Sequence, residues 1–152
     1  MAFRNGIPNE HLKHIYSAAD VLLATSMGEG FGIPTVEAQA CGTPVIVSQF
    51  AGSAELAGPH STLIHGQKMW DEFQGSFWIV PDTRQIHGAL EMNYQETKAG
   101  TVDRAKVREF ALHYDADLIY DKHWRPLIEL LAARTQPVAP ANRAERRASR
   151  KK

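Results

Sequence analysis

An α/β fold built on a parallel sheet is what this sequence predicts, and three observations carry the prediction. Short continuous apolar runs alternate with helical-period segments through the first fifty residues. The runs at Val21 to Ala24 and Val45 to Val47 lack polar alternation, the pattern of strands buried on both faces. Between them a glycine-rich turn leads into a helix, the kind of connection that joins two parallel strands.

The elements follow in order. Asn9 is placed to cap a helix running to about Ala19, with Leu12, Ile15, Tyr16 and Ala19 on one face. Val21 to Ala24 form the first strand and Thr25 to Ile33 a glycine-rich loop. Pro34 suits the first helical position, because its missing N–H would be unpaired there in any case. That helix runs to about Cys41, where Gly42 supplies the stop. Pro44 to Ser48 form the second strand, and a right-handed crossover is expected between the two. Ser53 to Ala57 read as a short helix, and Thr62 to Ile64 and Phe77 to Val80 as strands. His65 to Ser76 read as a hairpin-like insertion. Pro81-Asp82-Thr83 cap a helix over about Arg84 to Tyr94, and Gly100 breaks the chain. Asp103 to about His113 is helical, as is Asp115 to about Ala133, interrupted at Pro126.

The chain has 152 residues, 43% hydrophobic and 22% charged, which suffices for one domain with a real core. No apolar run approaches the ~20 residues of a bilayer span, and Met1 to Gly6 lack the apolar stretch of a signal peptide. The lone cysteine, Cys41, excludes an intramolecular disulfide and fits a reducing, cytoplasmic setting. The zero net charge is uneven. Pro137 to Lys152 carry six basic residues and one acid, a charge of +5, which leaves −5 on the remainder. A net acidic body argues against nucleic acid binding by the fold itself. Residues 135–152, rich in Pro, Ala and Arg, are expected to form a disordered basic tail, with weak membrane-surface contact as a lesser possibility.

Chemistry concentrates in Glu29-Gly30-Phe31-Gly32-Ile33-Pro34-Thr35-Val36-Glu37. A buried strand, a glycine loop and a helix start in sequence make a place to hold an anion. The flanking acids suit ligand hydroxyls, since an ionised carboxylate only accepts hydrogen bonds. Taken singly, Glu37 reads as an acid in the first turn of a helix, stabilised by the dipole, Glu29 as a solvated turn residue, and Gly30 and Gly32 as turn glycines. Phe31 reads as a packing or shape element.

These residues, with Ile15-Tyr16-Ser17-Ala18-Ala19-Asp20, Thr25-Ser26 and Ala38-Gln39-Ala40-Cys41-Gly42-Thr43-Pro44-Val45-Ile46, resemble the retaining family 4 glycosyltransferases of GT-B architecture. Glu29 and Glu37 have the family's glutamate spacing, seven residues between them. Glu55, Val80-Pro81-Asp82, and Tyr114 to Leu131 with Trp124 also look like family features, so the resemblance covers roughly residues 7 to 134. It implies a partial Rossmann-like three-layer domain with a parallel sheet, over residues 1–134, followed by C-terminal helices. The expectation is the C-terminal donor-binding portion of such an enzyme, without the acceptor domain and without the Arg and Lys that neutralise the diphosphate.

The resemblance implies hexosyl transfer with retention from a nucleoside-diphosphate sugar to an unknown acceptor. Glu29 becomes the catalytic-site carboxylate, toward hexose hydroxyls. Gly30, Phe31, Gly32, Ile33, Pro34, Thr35 and Val36 line the substrate, with the Gly32-to-Val36 amides toward phosphate. Glu37 faces the ribose 2′- and 3′-hydroxyls. No metal and no cofactor are expected beyond the donor, and the isolated chain is expected to be inactive without an acceptor domain or a separate acceptor chain. The alternative is a non-catalytic nucleotide-sugar-binding module or inactive remnant.

Other readings are weaker. A glycosidase also uses two acids but needs no glycine loop at a helix start. His11 and His14 have no evident third metal ligand and read as surface residues, and the other histidines show no ligand spacing. Cys41 reads as a small buried residue. For Trp70, Phe73, Phe77 and Trp78, packing beneath a long loop is preferred to an acceptor-facing aromatic patch.

Overall fold

The computed structural model describes residues 7–135; the expected basic tail, but for Thr135, lies outside them. Two compact units divide between Tyr114 and Asp115.

The first unit opens with α1 (Asn9–Ala18) and β1 (Leu22–Ala24). Helix α1 is capped by Pro8, one residue before the expected Asn9, with the Pro8 carbonyl accepting from the amides of His11 and Leu12 (2.8 and 3.1 Å). Leu12, Tyr16 and Ala19 are half-buried, but Ile15 is 52% exposed and lies outside the contact stripe. Helix α2 (Ile33–Ala40) begins one residue before Pro34 and ends at Cys41, where the Gly42 N–H reaches Gln39 O (2.8 Å) and the Thr43 N–H reaches Ala38 O (3.0 Å). These bonds satisfy carbonyls left open at a helix end.

Strand β2 (Val45–Ser48) follows, all four residues buried, and then a 3₁₀ turn over Ala51–Leu56 and β3 (Thr62–Ile64). The three strands form a parallel sheet in the order β1-β2-β3, with Leu22 opposite Val45 and Ile46 opposite Thr62. Val45 and Val47 pack with Ala38 of α2 on one face, joined by Tyr16 of α1. Ile46 packs with Ile64 and Ala89 on the other. Helices thus pack on both faces of the sheet at β2, the three-layer Rossmann-like arrangement. Strand β1, expected to be buried on both faces, instead lies at the sheet edge with Leu23 44% exposed. The apolar run at Val45 is unbroken because neither face of β2 meets water.

A hairpin is present but is longer than the expected His65-to-Ser76 insertion, and the strand expected at Phe77 to Val80 is its second arm. Strands β4 (Gly66–Asp71) and β5 (Ser76–Pro81) pair antiparallel, with Trp70 opposite Phe77. The tip closes through the Gln74 N–H to Asp71 Oδ1 (2.8 Å). The Ile79 N–H donates to Met27 O at 2.8 Å, which ties β5 to the loop that follows β1. Packing of the aromatic cluster beneath a loop does not hold as expected. Phe73 is fully exposed, Trp70 and Phe77 are about half-exposed, and the latter pair meet edge to face at 5.0 Å.

Helix α3 (Thr83–Ala99) is capped by Asp82, whose carboxylate accepts from the Arg84 N–H (2.8 Å), and ends at Gly100. It runs five residues beyond the expected Tyr94. Helix α4 (Arg104–Leu112) packs on α2. Its cap, Asp103, accepts from the Lys106 N–H (3.1 Å), and that bond foremost holds its carboxyl below the usual range. Arg104 donates to Ser17 O and Ala19 O (3.3 and 3.0 Å), tying α4 to the end of α1.

The second unit holds α5 (Ala116–Ile119), a π-helical turn over Tyr120–Trp124, and α6 (Arg125–Arg134). Asp115 caps it through the amides of Asp117 and Leu118. The expected interruption is the π turn, placed just before Pro126, whose ring nitrogen has no proton for an α-helical bond. No described helix is long and apolar enough to cross a membrane.

Candidate functional site

The nine-residue motif spans the loop after β1 and the first turn of α2. Its backbone is fixed from the side. The Glu29 carbonyl accepts from the Gly52 N–H at 3.0 Å. A Cβ on Gly52 would stand 2.4 Å from Gly30 O, so only glycine allows this approach. Gly32 caps α2 with φ +89°, a left-handed conformation that glycine adopts without penalty.

The position of a Cβ on Gly32 lies 3.3 Å from both Glu29 Cγ and Thr35 Oγ1. The half-buried Glu29 side chain therefore folds back over the start of α2. Pro34 carries no N–H, and the Thr35 N–H returns to Gly32 O (3.0 Å). The N–H groups of Gly30, Phe31, Gly32 and Ile33 have no acceptor among the described residues. Within the expected Gly32-to-Val36 run, the buried Gly32 and the exposed Ile33 are thus open donors, Pro34 has none, and the Thr35 N–H is taken by Gly32 O. Thr35 is buried, Val36 half-buried, and Gly30, Ile33 and Pro34 exposed.

Phe31 is 47% exposed and meets Tyr114 edge to face at 5.8 Å. Tyr114 in turn meets Phe110 and donates to Glu55 O at 3.3 Å. This chain of rings supports Phe31 as a shape element. The Glu55 side chain is exposed, and its backbone carbonyl makes the contact.

Glu37 lies on the side of α2 that faces α1. Tyr16 Oη donates to Glu37 Oε2 at 3.0 Å. Burial, and then the Glu37 carboxylate, push the Tyr16 hydroxyl up to about 12. A cleft of about 230 Å³ lies here, lined by Leu12, Lys13, Tyr16, Glu37, Ala40 and Cys41. Glu29 does not line it, so the two motif acids share no cavity, and Glu37 stands beyond the first turn of α2 that is expected to hold it. A larger hollow of about 540 Å³ at the hairpin root, between His65 and Gln85, includes no motif residue.

His11 and His14 are exposed, and the described residues bring no three metal-ligating side chains together. Three contributors lie outside the motif: Tyr16, Gly52 and Gln39. Gln39 is fully buried, with Nε2 donating to Leu56 O (2.7 Å) and Thr35 O (3.0 Å) and Oε1 accepting from the Gly58 N–H (2.9 Å). Its signal in the sequence is a polar residue on the apolar face of a short helix. Tyr16 lies in the stretch that carries the family resemblance, but nothing local signals its bond to Glu37, and Gly52 signals nothing until the fold pairs it with the motif.

A parallel three-layer α/β unit, with two carboxylates about a glycine turn at a helix start, has the build of a Rossmann-like glycosyltransferase domain. Residues 2–76, about half the chain, match the family model described as "Glycosyl transferases group 1", and the chain belongs to that family. It is 41% identical over 98 residues to a D-inositol 3-phosphate glycosyltransferase of Mycolicibacterium gilvum, covering 62% of this chain and 22% of that protein. It is 41% identical over 103 residues to the protein of that name from Thermobifida fusca, covering 61% and 24%. To an Escherichia coli O-antigen chain mannosyltransferase B it is 40% identical over 52 residues, covering 34% and 14%. The chain thus spans a quarter or less of the length of these relatives.

Proposed function

We propose that the first unit is the donor-binding part of a retaining glycosyltransferase. The enzyme moves a hexosyl group from a nucleoside-diphosphate sugar to an acceptor hydroxyl. The observation that carries this reading is the open set of amides from Gly30 to Ile33, flanked by Glu29 and Glu37, at the N-terminus of α2.

Each part of a sugar nucleotide has a partner in this reading. Glu29, folded over the helix start, accepts hydrogen bonds from hexose hydroxyls and holds the sugar while the nucleoside diphosphate departs and the acceptor oxygen bonds to the anomeric carbon. The loop amides and the α2 dipole receive the diphosphate. As the glycosidic bond breaks, charge builds on the terminal phosphate, and a well-placed N–H donor stabilises such charge by ~3–4 kcal/mol in comparable systems. Glu37 accepts from the ribose 2′- and 3′-hydroxyls. The reading includes no metal or further cofactor, so transfer is expected to survive chelation. The relatives are named for different acceptors, D-inositol 3-phosphate and an O-antigen chain. For this chain the acceptor is therefore proposed only as a hydroxyl compound, delivered by an acceptor domain or a separate chain. The free Cys41 thiol accords with a reducing, cytoplasmic setting.

Calorimetry with a panel of UDP-, GDP- and ADP-sugars tests the reading. Binding of at least one member, weakened by Glu37→Ala and by Glu29→Ala, is expected. No binding at millimolar ligand would refute the donor site, and binding unchanged in Glu37→Ala would refute the ribose assignment. Addition of an acceptor domain separates a working transferase from a binding module: transfer then appears only in the former.

A further inference from the structure

Glu37 does not stand alone. The ring of Tyr16 packs against the buried cluster of Ala38, Val45 and Val47. The Tyr16 carbonyl accepts from the fully buried Thr43 hydroxyl at 2.7 Å. From this double anchorage the Tyr16 hydroxyl reaches 3.0 Å to Glu37 Oε2. Among the described residues no other group hydrogen-bonds to the Glu37 carboxylate, and no cation pairs with it. Lys13 lines the same cleft without forming an ion pair.

A glutamate on a helix surface has three side-chain torsions to fix before it can present two oxygens to a diol. A hydrogen bond to a charged acceptor from a rigid donor removes much of that freedom. It also uses only one of the roughly four acceptor positions of a carboxylate. Both positions on Oε1 and one on Oε2 stay open, enough for two adjacent hydroxyls.

We propose that Tyr16 is a positioning residue for nucleotide recognition, fixing the Glu37 carboxylate in the orientation that reads a vicinal diol. The proposal rests on the ribose reading of Glu37. Tyr16 touches no ligand itself and acts only through Glu37. Its effect is confined to ligands that carry the diol.

The test compares UDP and GDP with their 2′,3′-dideoxy counterparts, binding to the full chain by calorimetry. The wild type is expected to prefer the ribonucleotide. Tyr16→Phe is expected to reduce that preference about tenfold, the lower end for one hydrogen bond to a charged group, with affinity for the dideoxy ligand unchanged. In a Glu37→Gln background Tyr16→Phe is expected to have no further effect. Equal loss for both ligands marks a structural role and overturns the proposal, as does full preference retained in Tyr16→Phe. A wild type without preference, or preference unchanged by Glu37→Gln, overturns the ribose reading itself and this role with it. Should Tyr16→Phe not fold, ring-labelled tyrosine in the wild type decides. The ribonucleotide then shifts the Tyr16 ring resonances and the dideoxy ligand does not, and equal shifts overturn the proposal.

Discussion

The Gln39 side chain accepts the Gly58 amide at 2.9 Å while its other end donates to Leu56 O at 2.7 Å, so one buried residue of α2 holds both sides of the bend after the 3₁₀ turn. Gln39→Leu removes both partners and leaves two backbone groups unpaired, each costing about 1–3 kcal/mol. Urea unfolding is expected to show a loss of about 2–5 kcal/mol. A loss under about 0.5 kcal/mol, the level of an ordinary surface substitution, would contradict this account.

Gly52 and Gly30 predict opposite outcomes for the same added methyl. At Gly52 it meets Gly30 O at 2.4 Å and Glu29 O at 3.1 Å, so the loop must move. Gly52→Ala is expected to lose roughly 1–3 kcal/mol of stability and to weaken nucleotide-sugar binding with it. At Gly30 the methyl meets nothing within 4 Å. Gly30→Ala is expected to keep stability within about 0.5 kcal/mol and to weaken binding alone, because the methyl would stand in the open space beside the amides proposed to receive the diphosphate. Thermal melts and calorimetry on both variants check the contrast.

Tyr16 predicts a signature at high pH. Its hydroxyl titrates at about 12 in the folded chain against an ordinary 10.0. Below pH 10 the group is protonated whether folded or unfolded, and its contribution to stability is fully present. Between these values the unfolded chain ionises first, so the contribution falls as pH rises and is gone above the folded value. The groups beside it are Glu37, Cys41 and Lys13. Urea midpoints are expected to fall more steeply across this window in the wild type than in Tyr16→Phe. Parallel slopes would remove the linkage.

Pro126 predicts a local repair. Pro126→Ala returns an N–H to the first turn of α6, next to the π turn at Tyr120–Trp124. Amide exchange in 120–126 is expected to slow, and helical circular dichroism to rise. Unchanged exchange would mean that the π turn has another cause.

The central architecture was legible because β2 is buried on both faces, and an uninterrupted Val45-Ile46-Val47 states that directly. The helix starts were readable to within a residue, through Pro34 and Asp82. Strand β4 was visible only as part of a hairpin-like insertion. Its residues are nearly all exposed and show no alternation of burial to read. The last turn of α3 was missed because Gln95 to Lys98 carry no apolar period, and only Gly100 marks the end. In the site, the spacing of Glu29 and Glu37 could be read from the chain. The bonds from Tyr16 to Glu37 and from Gly52 to Glu29 join residues more than twenty positions apart, and no local pattern encodes them.

The hydrogen bond from Ile79 to Met27 gives the two ends of the β4–β5 hairpin unequal freedom. The root is spliced to the chain segment that leads into Glu29, and Ile79 beside it is only 4% exposed. A slip of one residue in β5 would present the wrong amide to Met27 and turn Ile79 outward, since strand side chains alternate. The tip around Phe73 touches no such constraint. Sequence drift and engineered insertions are therefore free to accumulate at the tip, whereas the register at the root is held to a single value by the loop it braces.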